Sequence, residues 1–144
     1  MSTNVHSPLS TPRLEFLVAQ LRDALAVDSS LQVACLFGSA VRDQLRADSD
    51  IDVAVLADKP LAPEQKLSLA QHLEASLSRP VDLLDLSTLS GAILHQVLCT
   101  GRVVLRKNPD ALAGLMRKMI YHQADMMPYI RRALEERQRR FLHG

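Results

Sequence analysis

Two short apolar segments, each with small or acidic residues at one end, constrain the fold most. Leu31–Phe37 runs directly into Gly38-Ser39, and Ile51–Leu56 follows directly after Asp48-Ser49-Asp50. Nearly continuous apolar runs of this length are typical of buried strands. We therefore expect a fold with a buried sheet, and we look for chemistry in the polar residues next to its strands.

The remaining segments alternate between helical and extended patterns. A strand is predicted at Val81–Leu86, and another at Arg102–Leu105 after Gly101. Helices are predicted over residues 12–27, 40–45, 63–77, 91–99 and 109–142, with Pro128 interrupting or kinking the last of these. This alternation predicts an α/β sandwich with a small sheet flanked by helices.

Length and composition fit one ordinary globular domain. The chain has 144 residues, of which 47% are hydrophobic and 23% charged. We expect a single domain over residues 11–144, preceded by a flexible lead-in over 1–10 and ending in a helical segment at about 109–142. The formal net charge of +1 gives no general electrostatic argument for nucleic-acid binding.

The chain has no apolar stretch long enough for a membrane span and no pattern of a signal peptide. Its two cysteines, Cys35 and Cys99, lie in apolar runs, which predicts buried side chains in a reducing compartment. We therefore expect a cytoplasmic protein with no membrane partner.

Asp50 and Asp52 are the first candidate site residues. Side chains two apart on a strand share a face, so the two carboxylates repel each other unless a cation lies between them. Ile51 and Val53 then point to the opposite face and into the core. Mg²⁺ prefers carboxylate oxygens and completes its coordination with water and substrate phosphates. The pattern predicts a magnesium site.

The third strand supplies further acid at Asp82 and Asp85. The two are three residues apart, so in a regular strand they face opposite sides and only one can join the pair. Spacing alone does not decide between them. Three carboxylates can hold two metal ions, which orient a triphosphate, stabilise the leaving pyrophosphate and activate an attacking hydroxyl.

Gly38, Ser39 and Arg42 are candidate phosphate ligands. A glycine permits a sharp turn and a close approach of backbone to a bulky ligand. Free N–H groups at the start of a helix bind phosphate, and Arg42, one turn later, can reach the same anion.

The spacing of these residues resembles the signature of the DNA polymerase β nucleotidyltransferase superfamily. The signature is Gly38-Ser39, ten residues, Asp50, one residue and Asp52, followed later by Asp82 between Val81 and Leu83. Within that superfamily the chain is similar to the minimal nucleotidyltransferases (MNT), above all to MNT antitoxins that pair with HEPN ribonuclease toxins. The resemblance covers roughly residues 31–105. One departure is Asp43, where many relatives carry glycine.

The resemblance implies a polymerase β-like fold and a role for each motif residue. Gly38, Ser39 and Arg42 would bind the nucleotide. Asp50 and Asp52 would be catalytic metal ligands. Asp82, preferred over Asp85 because of its flanking apolar residues, would be the third ligand and the base toward the acceptor hydroxyl.

The implied activity is Mg²⁺-dependent transfer of AMP from ATP to a tyrosine of a HEPN toxin, which makes the chain an antitoxin. One alternative is a non-catalytic antitoxin that occludes its toxin, although occlusion does not require the three carboxylates. Another is a small-molecule nucleotidyltransferase, which usually has additional domain structure around an acceptor pocket. Template-directed polymerisation is a fourth candidate, but the chain has no thumb or DNA-binding domain.

The C-terminal segment is less informative. Arg117 and His122 match the Arg-x4-His spacing of HEPN ribonucleases, which we interpret as a coincidence because that motif requires a dedicated helical domain. Glutamates interrupt the arginines of residues 130–140, which favours a solvated or partner-binding face over direct nucleic-acid contact.

An apolar stripe in the same segment is expected to cover the sheet and in part to meet a protein partner in a homo- or hetero-oligomer. It comprises Leu112, Leu115, Met116, Met119 and Ile120, with Met126, Met127 and Ile130 further along.

Overall fold

A computed structural model of the chain describes residues 12–42, 49–121 and 135. These residues form one four-stranded sheet with helices on both faces. The α/β architecture predicted from the alternating pattern is confirmed. The expected flexible lead-in at 1–10 and the segment around Pro128 lie outside the described residues.

The elements follow one another in the predicted order. The helices are α1 (Pro12–Leu25), α2 (Pro63–Leu77), α3 (Gly91–Thr100) and α4 (described over 109–121). The strands are β1 (Leu31–Phe37), β2 (Ile51–Ala57), β3 (Val81–Asp85) and β4 (Arg102–Arg106). Two short 3₁₀ turns, Gly38–Ala40 and Leu86–Thr88, follow β1 and β3.

The sheet has the order β3-β2-β1-β4 and is mixed. β1 pairs antiparallel with both β2 and β4, whereas β2 and β3 are parallel. A parallel pair needs a crossover, and α2 provides it. The end of β1 and the starts of β2, β3 and β4 therefore meet at one end of the sheet.

Alternation along the strands divides the core between the two faces of the sheet. On one face, Ile51, Val53 and Leu83 pack under α1 and α2. On the other, Ala54 and Leu84 pack under α3 and α4. The expectation that Ile51 and Val53 point into the core is confirmed, since both are fully buried.

Two arginine contacts fasten α1 to the edge strand β4. Arg102 Nη1 and Nη2 donate to the carboxylate oxygens of Glu15 at 2.7 and 3.0 Å. Arg22 Nε donates to the carbonyl oxygen of Val104 at 2.9 Å. A paired-donor geometry of this kind orients both partners, so α1 and β4 are held in a fixed relation.

The structure corrects two sequence predictions. Cys35 is buried, which raises the pKa of its thiol to about 11, but Cys99 is exposed, and its thiol donates to Met119 Sδ on α4 at 3.7 Å. Of the helix expected at 40–45, residues 40–42 are described: Ala40 ends a 3₁₀ turn that starts earlier, at Gly38, and residues 41–42 continue as a turn. Residues 43–45 lie outside the described residues.

The apolar stripe of α4 covers the sheet only in part, as expected from the sequence. Leu112 and Leu115 are buried against it, whereas Met116 and Ile120 are exposed. Within the described ranges, no helix has the length and apolar character that a membrane crossing requires.

Candidate active site

Three of the predicted site residues, Gly38, Asp52 and Asp82, meet at the end of the sheet where β1 stops and β2 and β3 begin. Asp52 is opposite Phe37, the last residue of β1, in the antiparallel pairing. In the parallel pairing, Asp52 is opposite Asp82. Directly paired residues project from the same face, so Asp52 and Asp82 stand side by side on the face covered by α3 and α4.

Gly38 packs directly against the carboxylate of Asp52. Its φ of +77° lies in the left-handed region, where side chains with a Cβ are disfavoured. A Cβ on this residue would lie 3.1 Å from Asp52 Cγ and would overlap Oδ2. Glycine is therefore required here both by the backbone conformation and by the neighbouring carboxylate.

The carboxyl of Asp52 lies close to two other acidic side chains, those of Asp50 and Asp82. Partial burial raises the pKa of its carboxyl, and the charges of Asp82 and Asp50 raise it further, whereas the charge of Arg42 lowers it. Asp82, Asp50 and Arg42 therefore all lie close enough to Asp52 to influence its ionisation. Because ionised neighbours disfavour the ionised form of Asp52, a cation between them would be bound favourably.

The chemistry of this cluster fits a divalent metal such as Mg²⁺, although the side chains do not converge on one point. Within 12–42, 49–121 and 135, no three histidine, cysteine, aspartate or glutamate side chains are close enough to hold a metal ion together. Asp50 and Asp82 are exposed, so their carboxylates are free to rotate towards a cation. The all-oxygen donor set is the one that Mg²⁺ prefers.

Asp85 has a different role from Asp82. Its side chain is 6% exposed and lies on the α1 and α2 face of the sheet. Oδ1 accepts from the backbone N–H of Ser87 at 2.9 Å and from its hydroxyl at 2.7 Å. Oδ2 accepts from the backbone N–H of Leu61 at 2.9 Å. Asp85 therefore joins the end of β3 to the loop before α2, and its oxygens face away from Asp52.

Ser39 and Arg42 lie on the turn that leaves β1. The backbone N–H groups of Val41 and Arg42 both bond to the carbonyl oxygen of Gly38, which closes the turn tightly around the glycine. Ser39 is half-buried and Arg42 is exposed. The structure thus places Gly38 and Arg42 beside the carboxylates, with Ser39 in the connection between them.

One carboxylate that no sequence motif marks, that of Glu74, contacts the start of β3. Glu74 Oε2 accepts a hydrogen bond from the backbone N–H of Val81 at 3.0 Å, one residue before Asp82. In the sequence this glutamate is one of several polar residues in an amphipathic helix. No pattern distinguishes it from a solvated residue.

A groove of about 600 Å³ lies elsewhere, between the α1–β1 turn and α2. Asp28, Glu64 and His72 are among its lining residues. The neighbouring backbone bond from Asp58 N–H to Ser30 O places this groove at the start of β1 and the end of β2. It is therefore at the opposite end of the sheet from the carboxylates and is not part of this site.

Residues 19–110 match the family described as polymerase β, nucleotidyltransferase. This region includes the sheet, the Gly38 turn and all three carboxylates. A curated relative, the protein adenylyltransferase MntA of Shewanella oneidensis, is 37% identical over 86 residues. The match covers 60% of this chain and 60% of that protein.

Solved structures show the same fold. A chain in a crystal structure of a toxin–antitoxin with AMP-PNP is 29% identical, with a TM-score of 0.61 and coverage of 84% of this chain and 98% of that one. A second is from a rebuilt structure of the tri-AMPylated Shewanella oneidensis HEPN toxin in complex with MNT antitoxin. It is 28% identical, with a TM-score of 0.55 and coverage of 85% of this chain and 96% of that one.

Proposed function

The chain belongs to the polymerase β nucleotidyltransferase family, and on that premise we propose that it is an Mg²⁺-dependent protein adenylyltransferase that silences a HEPN-type toxin. The observation that carries the proposal is the direct pairing of Asp52 with Asp82 beside Gly38. A single relative whose match spans 60% of its length and the two toxin–antitoxin structures support the choice of donor and partner.

The reaction joins an acceptor hydroxyl to the α-phosphorus of ATP. The hydroxyl oxygen attacks phosphorus, the bond to the pyrophosphate oxygen breaks, and the proton of the hydroxyl leaves to a base. Asp82 is exposed and next to Asp52, so its carboxylate is placed to accept that proton from an acceptor that approaches from solvent.

The other site residues bind and orient the donor. The turn at Gly38 and Ser39 brings backbone N–H groups to the triphosphate, and the Arg42 guanidinium offsets its charge. Asp50, Asp52 and Asp82 would hold Mg²⁺, which neutralises the phosphates and stabilises the departing pyrophosphate when bound. Without a cation, the carboxylates would repel the nucleotide.

A protein acceptor agrees with the exposed apolar residues of α4. Met116, Ile120 and Tyr121 are 40%, 57% and 72% exposed, and Arg117 lies between them. Exposed apolar and arginine side chains of this kind anchor protein partners. A tyrosine near the active site of the toxin is the proposed acceptor, because AMP there would add charge and bulk where RNA must enter.

Co-expression with a HEPN toxin from the same genome tests the proposal. We expect the intact mass of the toxin to increase by whole AMP units, and the increase to vanish when Asp50 and Asp52 are both replaced by asparagine. A toxin that is bound and silent but unchanged in mass would instead show that the chain acts by occlusion. A toxin that is neither bound nor modified would remove the proposed partner.

A further inference from the structure

The peptide unit Pro80–Val81, at the start of β3, is hydrogen-bonded on both of its sides. The carbonyl oxygen of Pro80 accepts from the backbone N–H of Ile51 on β2 at 2.9 Å. The N–H of the same peptide, that of Val81, donates to Oε2 of Glu74 on α2 at 3.0 Å. Because a peptide unit is planar, these two bonds fix both its position and its orientation.

This peptide lies directly beside the carboxylates. Asp82 follows Val81 in the chain, and Ile51 stands between Asp50 and Asp52. In the parallel register, Ile51 is opposite Val81 and Asp52 is opposite Asp82. A shift of the Pro80–Val81 peptide would therefore change the separation of Asp82 from Asp52.

The backbone of Glu74 also bonds to the turn between α2 and β3. Its carbonyl oxygen accepts from the N–H of Ser78 at 2.8 Å, and Ser78 ends α2 in the left-handed conformation with φ 55°. The backbone and the side chain of one residue thus hold both ends of the turn from Ser78 to Val81. Among the described strands β3 lies at the edge of the sheet, so none of them satisfies the outward N–H of Val81.

We propose that Glu74 is a positioning residue for nucleotidyl transfer, which acts by fixing Asp82 against Asp52 through the Pro80–Val81 peptide. This inference rests on the proposed function, since it assigns Glu74 to the same carboxylate site. The side chain of Glu74 makes its bond to backbone, so its effect on substrate is indirect. It resembles the outer partners that orient metal ligands, whose loss typically reduces affinity or activity by about 10- to 100-fold.

Three variants test the proposal. Glu74→Ala removes the acceptor while keeping a good helix former, and Glu74→Gln retains an acceptor oxygen. Gln65→Ala is the matched control, because Gln65 Oε1 accepts from the backbone N–H of Ala62 at 2.9 Å in the same helix but at its other end. Transfer of radiolabelled AMP from ATP to the toxin gives kcat and the KM for ATP.

We expect Glu74→Ala to lower kcat about tenfold with the KM for ATP within about threefold of wild type. Glu74→Gln should recover most of kcat, and Gln65→Ala should leave it unchanged. Wild-type kcat in Glu74→Ala would overturn the proposal, as would an equal loss in Gln65→Ala or no recovery in Glu74→Gln.

Two measurements on the isolated protein separate this proposal from the proposed function. Mn²⁺ titration should show weaker binding by Glu74→Ala than by wild type and Gln65→Ala. The Val81 amide should exchange with solvent faster by about tenfold or more when its acceptor is lost. If wild type transfers no AMP, the proposed function fails, and these two results still decide the role of Glu74: unchanged Mn²⁺ affinity overturns it.

Discussion

Gly38 and Asp52 occupy adjacent positions that leave no space for a side chain on residue 38. Replacing Gly38 with alanine should therefore displace the Asp52 carboxylate and force alanine into a left-handed conformation that costs about 1–2 kcal/mol. We expect transfer to fall roughly 100-fold, as it does when reacting groups are displaced by about 1 Å. Denaturant titration and AMP-transfer assays measure the two effects.

Gly114→Ala provides the control for that prediction. Gly114 lies in α4, and a Cβ there would meet only Arg117 Nη2, at 3.8 Å. Alanine in a helix interior is favoured over glycine by roughly 0.5–1 kcal/mol, so this variant should gain stability and keep full transfer. A Gly38→Ala protein as active as Gly114→Ala would contradict the contact between residue 38 and Asp52.

The Asp50→Asn/Asp52→Asn double variant should lose transfer and keep its fold. Neither carboxylate contributes to the core, and their removal relieves repulsion, so the circular dichroism spectrum should not change. Calorimetry should show that Mg²⁺ tightens ATP binding in wild type but not in the double variant. Asp58→Asn, an exposed aspartate just after β2, is the control. Substantial transfer by the double variant would refute a carboxylate-metal mechanism.

Stability should depend on pH through Asp52. The pKa of this carboxyl is raised in the folded state, so ionisation destabilises the fold. The folded wild type is therefore penalised as pH rises from about 4, the ordinary range of aspartate, through the raised pKa. Asp52→Asn avoids the penalty and should have a higher Tm than wild type at neutral pH in EDTA.

The difference in Tm between Asp52→Asn and wild type should shrink as pH falls into the range where the Asp52 carboxyl is protonated. Residue 52 is then neutral in both proteins. Added Mg²⁺ should reduce the difference at neutral pH, because the cation stabilises only the carboxylate form. Thermal melts at several pH values, with and without Mg²⁺, measure both effects. An asparagine variant less stable than wild type at neutral pH in EDTA would contradict a raised pKa of the Asp52 carboxyl.

Asp82→Asn and Asp85→Asn should fail in different ways. Asp82→Asn should bind Mg-ATP within several-fold of wild type but transfer AMP slowly, because the exposed carboxylate serves the acceptor step. Asp85→Asn disturbs a buried acceptor of three hydrogen bonds and should lower the free energy of unfolding by about 1–3 kcal/mol. Slow transfer by a stable Asp85→Asn with a normal Asp82→Asn would reverse their roles.

The strands and the position of the Asp-x-Asp carboxylates at the start of β2 could be predicted because each has a local signal. Apolar runs mark β1 and β2, and the Gly-Ser and Asp-x-Asp spacing marks the residues around Gly38 and Asp52. Spacing alone left Asp82 and Asp85 equivalent. The parallel register places Asp82, and not Asp85, beside Asp52. That register depends on the α2 crossover, which no short window of sequence contains.

Other features required tertiary structure. Leu112 and Met116 belong to one helical stripe in the sequence, but only Leu112 reaches the sheet. Cys99 lies in an apolar run, but its side chain is exposed. Glu74 reaches Val81 only because the turn after α2 brings the strand back beside the helix. His122, of the Arg-x4-His spacing, lies outside the described residues, so that interpretation stays a prediction.

The strand order has a consequence for synthesis of the chain on the ribosome. β1 lies inside the sheet, but its second neighbour, β4, is made after the other three described strands. At about 5–20 residues per second, one edge of β1 stays unpaired for several seconds after β2 has formed. A nascent chain that stalls before β4 would expose the apolar edge of Leu31–Phe37, which favours aggregation with other chains. The ion pair between Glu15 and Arg102 can form only after β4 has been made, when this edge of β1 is paired.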